Sequence, residues 1–286
     1  MKTSRAGTSL SLPLRLLSSP YSSAGRSGSC TRSRIARCKS SPTCVSKKIS
    51  SPNHPMSSEY YHLTKPRMVY MNVLVAAAAF VFASPSLFDW RIFFLMLLGL
   101  SFVVASACVF NNYADRLLDQ HMERTKTRAL AAGRVRPRAA FVFGLLLIVV
   151  GTLVLALVNW LTLAAALFGF VVYVFVYTPL KPHSGYALIP GAVAGAMPPV
   201  VGYAAAAGVL DLYALGLFLF LFLWQIPHFL AIARYRFDEY SAAGVPLLVR
   251  RPQHDRERAR ARRVFYLSLV LLVLGCLALI LQRWIR

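Results

Sequence analysis

The sequence predicts an all-α, polytopic membrane helix bundle with seven spans. Three observations carry that prediction. Hydrophobic residues make up 57% of the chain and mean hydropathy is positive, too apolar for an ordinary soluble domain. The apolar residues gather into runs close to the about 20 residues that cross a bilayer. Lys and Arg fall between those runs in alternation, dense in one set of loops and sparse in the other.

The spans follow in order at 68–88, 92–112, 139–158, 160–180, 186–207, 210–233 and 263–283. The third and fourth are joined only by a tight turn at Asn159-Trp160. The fifth, "YALIPGAVAGAMPPVVGYAAAAG", is rich in the small residues that let membrane helices approach closely. Pro198 and Pro199 are expected to bend or break it, which a bilayer tolerates where neighbouring protein satisfies the freed carbonyls. Trp160, Tyr173 and Tyr177 read as interfacial belt residues. The loops test the scheme. Lys65 and Arg67 precede span one, Arg116 to Arg138 crowd the loop after span two, Lys181 follows span four, and Arg234, Arg236, Arg250 and Arg251 follow span six. The intervening loops carry only Arg91. This alternation places the amino terminus and the basic loops on the cytoplasmic side. A weak likeness between the segments after spans two and six hints at two helical halves.

Charge excludes one broad class. The formal net charge is +22, but ten of the 32 Lys/Arg lie in residues 1–55, which hold no Asp or Glu, and the other 22 sit against 10 acids mostly between apolar runs. Topology accounts for that distribution better than a nucleic-acid groove, so no nucleic-acid partner is expected. Residues 1–55 are Ser- and Arg-rich and are expected to be a disordered extension. Their composition fits a transit peptide. An extension upstream of a start at Met56 is the preferred reading, because "MSSEYYHLTKPR" looks like a bacterial amino terminus. Residues 56–286 form the transmembrane domain. Five cysteines make no framework: Cys30, Cys38 and Cys44 lie in the extension without C-x-x-C spacing, and Cys108 and Cys276 lie in apolar runs.

The informative stretch is "NNYADRLLDQHMERTKTRALAAGRV", Asn111 to Val135. Asn111, Asp115 and Asp119 are spaced four and four, so a helix puts them on one face over roughly two turns. Carboxylates near a membrane are expensive and usually functional. Two of them with an amide oxygen make a hard donor set suited to Mg²⁺, which tends to arrive with substrate phosphates. Arg124, Lys126, Arg128 and Arg134 are placed to hold a pyrophosphate. A charged helix end with arginines serving only topology is the plain alternative. Asp238, Glu239 and Tyr240, with Arg236, stand at the matching end of span six, and this second acidic segment favours a shared cation and diphosphate site. His228 in "WQIPHF" reads first as a satisfied polar residue and second as a porphyrin ligand or proton acceptor.

Taken together, "YYHLTKPR", the Asn111–Val135 stretch, "YTPLK", "GAVAGAMPPVVGY" and "WQIPHFLAIARYRFDEYSAAGVPLL" resemble the UbiA superfamily of membrane prenyltransferases, and within it the branch that farnesylates heme. The resemblance runs from about Glu59 to Val249. It implies Mg²⁺-dependent transfer from farnesyl diphosphate to a vinyl group of heme b, with heme b as substrate and diphosphate released. It implies that Asn111, Asp115 and Asp119 hold Mg²⁺ on the diphosphate and that Arg124, Lys126 and Arg128 stabilise the leaving group. Asp238 and Glu239 would complete a second metal cluster, with Tyr240 beside the substrate. Lys181 and Arg236 are implied as heme propionate contacts and His228 as a further heme contact. The farnesyl tail would lie in a lipid-facing cavity. Membrane lipids, heme A synthase and a second copy of the chain are the partners this brings into view. The membrane would be the bacterial inner membrane, with the mitochondrial inner membrane as alternative.

The sequence also departs from the family pattern. Ala129 stands where the family usually has Pro, and "PHSGYAL" follows Lys181 in place of a further basic residue. The family has nine helices against seven here, so an open seam is expected unless a partner or second copy closes it. Two other functions fit the same residues: prenyl transfer to a quinone precursor, and an inactive heme-handling paralogue. A CDP-alcohol phosphotransferase would need D-G-x-x-A-R between its acids, which is missing, and a transporter would carry its charges at the midplane.

Overall fold

The structure is a computed structural model that describes residues 55–84 and 88–285. The expectation for the amino-terminal extension therefore lies outside the described residues, apart from Pro55. Among the described residues every regular element is helical: α1 (Met56–Leu63), α2 (Pro66–Ala83), α3 (Trp90–Gln120), α4 (Pro137–Ala156), α5 (Trp160–Val171), a π-helical segment (Val172–Tyr177), α6 (Thr178–Leu180), a 3₁₀ turn (Gly185–Ala187), α7 (Leu188–Gly195), α8 (Met197–Ala207), α9 (Leu212–Tyr235), α10 (Phe237–Ala242) and α11 (Asp255–Ile285). Seven stretches are long and apolar enough to cross a membrane, and they match the seven expected spans. The protein is an integral membrane helix bundle.

Each loop poor in Lys and Arg carries an Asx residue that caps the next helix. Asp89 accepts from the Ile92 amide at 3.1 Å, Asn159 from Thr162 at 2.8 Å, and Asp211 from Tyr213 at 2.9 Å and Ala214 at 3.2 Å. Such caps satisfy amides that a helix start leaves open. Asn159 also donates to the Ala204 carbonyl at 3.0 Å, so the tight turn is fastened to α8. The Tyr203 hydroxyl and these two amides hold the Asp211 carboxyl below its ordinary value.

Packing uses small residues where backbones meet. A Cβ on Gly151 of α4 would come within 2.9 Å of Val103 and 3.0 Å of the Gly99 carbonyl on α3. Ser106 of α3 donates to the Gly144 carbonyl of α4 at 2.7 Å. Gly202 of α8 lies against the backbone carbonyl of Ala76 on α2, leaving no room for a side chain. A core of Ala76, Phe80, Met96, Leu100, Leu155 and Val201 joins α2, α3, α4 and α8.

Three features differ from the sequence reading or sharpen it. The fifth span breaks at Ala196, and Pro198 and Pro199 occupy the first turn of α8, where the lost amide hydrogens cost nothing. The fourth span is not one α-helix, because it widens into a π turn before Pro179. Pro179 lacks an N–H and its ring displaces the carbonyl one turn back, and the Tyr173 carbonyl accepts both the Thr178 backbone N–H and, at 2.8 Å, the Thr178 hydroxyl. The seventh span lies against the first and the sixth: Leu272 and Cys276 of α11 pack with Val75 and Ala78 of α2 and Leu221 of α9.

At the basic end, α1 is fastened to the loop after α3. Arg134 donates to the buried Glu59 carboxylate at 2.7 and 3.2 Å and to the Thr127 carbonyl at 2.7 Å. Leu63, Val109, Ala129, Leu130 and Val135 close a small core beneath. Ala129 thus fills a packed position without proline. Its carbonyl accepts from both Arg134 and Val135 across Gly133, whose positive φ of 72° suits glycine.

Two stability outcomes follow. Gly202→Val forces α8 off α2 and lowers stability by about 1–3 kcal/mol; a thermal melt in detergent equal to the parent's would refute the close contact. Arg134→Met leaves Glu59 buried without its cation and costs about 3 kcal/mol. Adding Glu59→Gln recovers most of that loss in the same melt if the ion pair is the cause.

Candidate active site

The 31 residues of α3 rise about 46 Å at 1.5 Å each, against about 30 Å of hydrocarbon. The helix therefore carries Asn111, Asp115 and Asp119 to the basic end of the bundle. All three are buried, at 3–5% exposure, along one face. Buried carboxylates need counter-charges, because an unpaired one is several kcal/mol out of balance. Cations from separate segments supply them. Lys181, just beyond α6, donates to Asp115 at 2.7 Å. Arg128, in the loop after α3, donates to both oxygens of Asp119 at 2.8 and 3.0 Å and lies 3.4 Å from Asn112. Asn111 donates its amide to Asp115 at 3.2 Å and to Thr178 at 3.3 Å.

Lys65, in the turn between α1 and α2, reaches the same face and donates to the Asn111 side-chain oxygen at 2.5 Å. Burial pulls its ammonium down to about 8. At Lys181 burial acts the same way, but the Asp115 carboxylate together with Tyr177 and Tyr240 outweighs it and the ammonium titrates above its ordinary value. A cavity of ≈ 250 Å³ opens beside Lys65 and Arg128, walled also by Asn112 and Arg134.

The second acidic segment is held by arginines. Glu239 of α10 accepts from Arg124 at 3.3 Å and from Arg236 at 3.1 Å, so the loop after α3 is tied to the end of α9. Asp238 pairs with Arg251 at 3.3 Å and with Arg258. Tyr240 lies near enough to Lys181 and Tyr177 to act on both electrostatically. Tyr173 and Tyr177 are half-buried, their rings 5.1 Å apart, with Tyr177 over Gly191 of α7, whereas Trp160 is 73% exposed.

Of the residues singled out from sequence, Asn111, Asp115, Asp119, Arg128 and Lys181 converge directly. Arg124, Arg236 and Glu239 form an adjoining group, and Tyr240 stands between the two. Four residues have partners in this structure other than those expected from sequence. Lys126 pairs with Glu123 at 2.5 Å on the exposed side of the loop. Arg134 serves Glu59. His228 is buried against α11, its Nδ1 2.7 Å from the Ser268 hydroxyl and its ring stacked on Trp224 at 4.8 Å. Lys181 meets Asp115 where a propionate contact was expected. Lys65 and Thr178 were missed; the Lys-Pro and Thr-Pro pairs in "LTKPR" and "YTPLK" were the available signals, since proline fixes the backbone beside each.

The donor set fits a hard divalent cation in part. Among the described residues no group of three or more His, Cys, Asp or Glu converges as a complete ion site. Asp115, Asp119 and the Asn111 oxygen can offer two carboxylates and an amide. That is the incomplete protein shell Mg²⁺ uses when water and phosphate oxygens fill the rest.

Known proteins resemble this chain in sequence and in fold. Residues 72–285 match the UbiA prenyltransferase family. The protoheme IX farnesyltransferase of Protochlamydia amoebophila is 45% identical over 194 residues, 68% of this chain and 69% of that protein. Those of Photorhabdus laumondii and Yersinia enterocolitica are 44% and 43% identical, each over 68% of this chain and 66% of theirs. The matched segment thus spans about two thirds of the length of these relatives. Among solved structures, a UbiA homolog from Archaeoglobus fulgidus bound to DMAPP and Mg²⁺ superposes with a TM-score of 0.60 at 17% identity, over 79% of this chain and 85% of that one. The same homolog bound to GPP and Mg²⁺ gives a TM-score of 0.56 at 15% identity, over the same shares. The chain belongs to the UbiA prenyltransferase family.

Proposed function

We propose that the chain transfers a farnesyl group from farnesyl diphosphate to a vinyl group of heme b, giving heme O and diphosphate. The observation that carries the transfer chemistry is the buried Asn111–Asp115–Asp119 face with Arg128 and Lys181 upon it. The choice of acceptor is supported by relatives at 43–45% identity named protoheme IX farnesyltransferase. A prenyl diphosphate as donor is supported by the Archaeoglobus homolog holding DMAPP and Mg²⁺.

In this reading Asn111, Asp115 and Asp119 hold Mg²⁺, which supplies charge neutralisation to the departing diphosphate. Arg128 and Lys181 neutralise the carboxylates before substrate arrives and then turn toward phosphate oxygens, where negative charge develops. Arg124 reaches the same diphosphate from its place beside Glu239, and Lys126 joins from the exposed loop by rotating off Glu123. Asp238 and Glu239 form the second acidic wall, released from their arginines in the loaded site. The allylic C–O bond breaks, the farnesyl C1 bonds to the terminal vinyl carbon, and the cation left on the inner vinyl carbon takes up water and loses a proton. Tyr173 and Tyr177 limit early access of water. Arg236 is the propionate contact, Tyr240 positions Lys181, and His228 serves the α9–α11 contact rather than heme iron. The basic loops support a cytoplasmic amino terminus, and the bacterial origin of the relatives at 43–45% identity supports a bacterial inner membrane.

The test is heme O production, read by mass spectrometry, in cells lacking their own synthase. The parent chain yields heme O, and Asp115→Ala lowers the yield on the order of a hundred-fold. No heme O from a parent chain present in the membrane would sink the proposal, and a prenylated quinone precursor in its place would favour the other acceptor. Full yield from Asp115→Ala would remove the metal-holding role.

A further inference from the structure

The cations around the α3 face differ in one respect. Arg128 and Lys181 each meet a carboxylate. Lys65 makes no ion pair among the described residues, and its ammonium rests on the neutral oxygen of Asn111. Three cations thus stand over two carboxylates, leaving one positive charge in a largely buried site, an imbalance that favours an anionic ligand. A divalent cation raises the surplus to three, which a fully ionised prenyl diphosphate cancels.

The backbone adds an independent observation. Lys65 has φ 51° and ψ 64°, the only positive φ at a non-glycine among the described residues. Residues with a side chain avoid the left-handed region, and a residue before proline is further biased toward extended backbone. Both preferences are broken here, while Pro66 opens α2 as a well-suited first residue. Strain of this kind persists where surrounding structure enforces it, and it gathers at ligand-binding positions. Here it aims a lysine from the start of α2 at the oxygen of Asn111. Lys65 also borders a cavity that it shares with Arg128, Asn112 and Arg134.

Building on the proposed prenyl transfer, we propose that Lys65 is a diphosphate-binding residue. Its ammonium covers the Asn111 oxygen before substrate binds and moves to a phosphate oxygen when the prenyl diphosphate enters. That movement uncovers the Asn111 oxygen for the metal. Metal and diphosphate binding therefore promote one another, because the same displacement serves both.

The experiment measures binding of inorganic pyrophosphate, with Mg²⁺, to the purified full chain by calorimetry, and needs no heme. Lys65→Gln keeps a hydrogen-bond donor for Asn111 but removes the charge, and is expected to weaken binding roughly ten- to hundred-fold. Lys65→Arg is expected to retain most of the affinity. The same loss on adding Lys65→Gln to Asn111→Ala marks a direct phosphate contact; no further loss in that background means Lys65 acts only through Asn111 and overturns the inference. Equal affinity of Lys65→Gln and parent overturns it as well and leaves the prenyl-transfer reading intact. A parent chain that binds no pyrophosphate with Mg²⁺ overturns the functional reading beneath it. A melt of each variant separates lost binding from lost fold, and should Lys65→Gln not fold, Lys65→Met carries the same comparison.

Discussion

Everything at the basic end of this bundle depends on keeping two aspartates ionised where water is scarce. A carboxylate removed from water needs a counter-charge at hydrogen-bond distance, or it takes up a proton and loses its use as a metal ligand. The chain meets that requirement from outside α3. Lys181 comes from the far end of the fourth span and Arg128 from the loop after the second. Each ion pair is therefore also a tether, and the carboxylates organise segments that apolar packing alone leaves free.

The same constraint explains why the loop after α3 is packed as it is. To place Arg128 on Asp119 the loop must fold back over the helix end, and the core of Leu63, Ala129, Leu130 and Val135 holds it there. Arg134 and Glu59 then lock α1 to the loop, and α1 in turn delivers Lys65 to Asn111. Arg124 carries the linkage onward to Glu239 at the end of α9. The two acidic segments thus share one basic loop, and a shift of that loop toward a diphosphate would be felt in both.

The spans were legible because hydropathy is a local property: each is a single run of chain, and the break at Ala196 is announced by Pro198 and Pro199. The Asn111–Asp115–Asp119 face was legible because helical periodicity alone aligns residues four apart. The counter-ions were not. Five Lys and Arg residues follow α3 before α4 begins, and nothing local separates Arg128, which meets Asp119, from Lys126, which faces Glu123. The seating of His228 on Ser268 and of α11 on α2 involves residues 40 or more positions apart, beyond any periodic signal. The π turn depends on Pro179 and on a hydroxyl bond from Thr178, a choice of register that composition does not reveal.

That π turn links the membrane part to the site. An α-helix carried unbroken through Val172–Tyr177 would rotate Thr178 and Lys181 relative to the positions they now occupy, because a π turn inserts extra backbone and shifts everything beyond it. Thr178 accepts the Asn111 amide, and Lys181 binds Asp115. Both contacts therefore require the irregularity. The Tyr173 carbonyl accepts both the Thr178 backbone N–H, the wide bond of the π turn, and the same Thr178 hydroxyl that meets Asn111. A single threonine thus closes the backbone defect and sets the amide of a candidate metal ligand, so the irregular turn belongs to the site as much as the aspartates do.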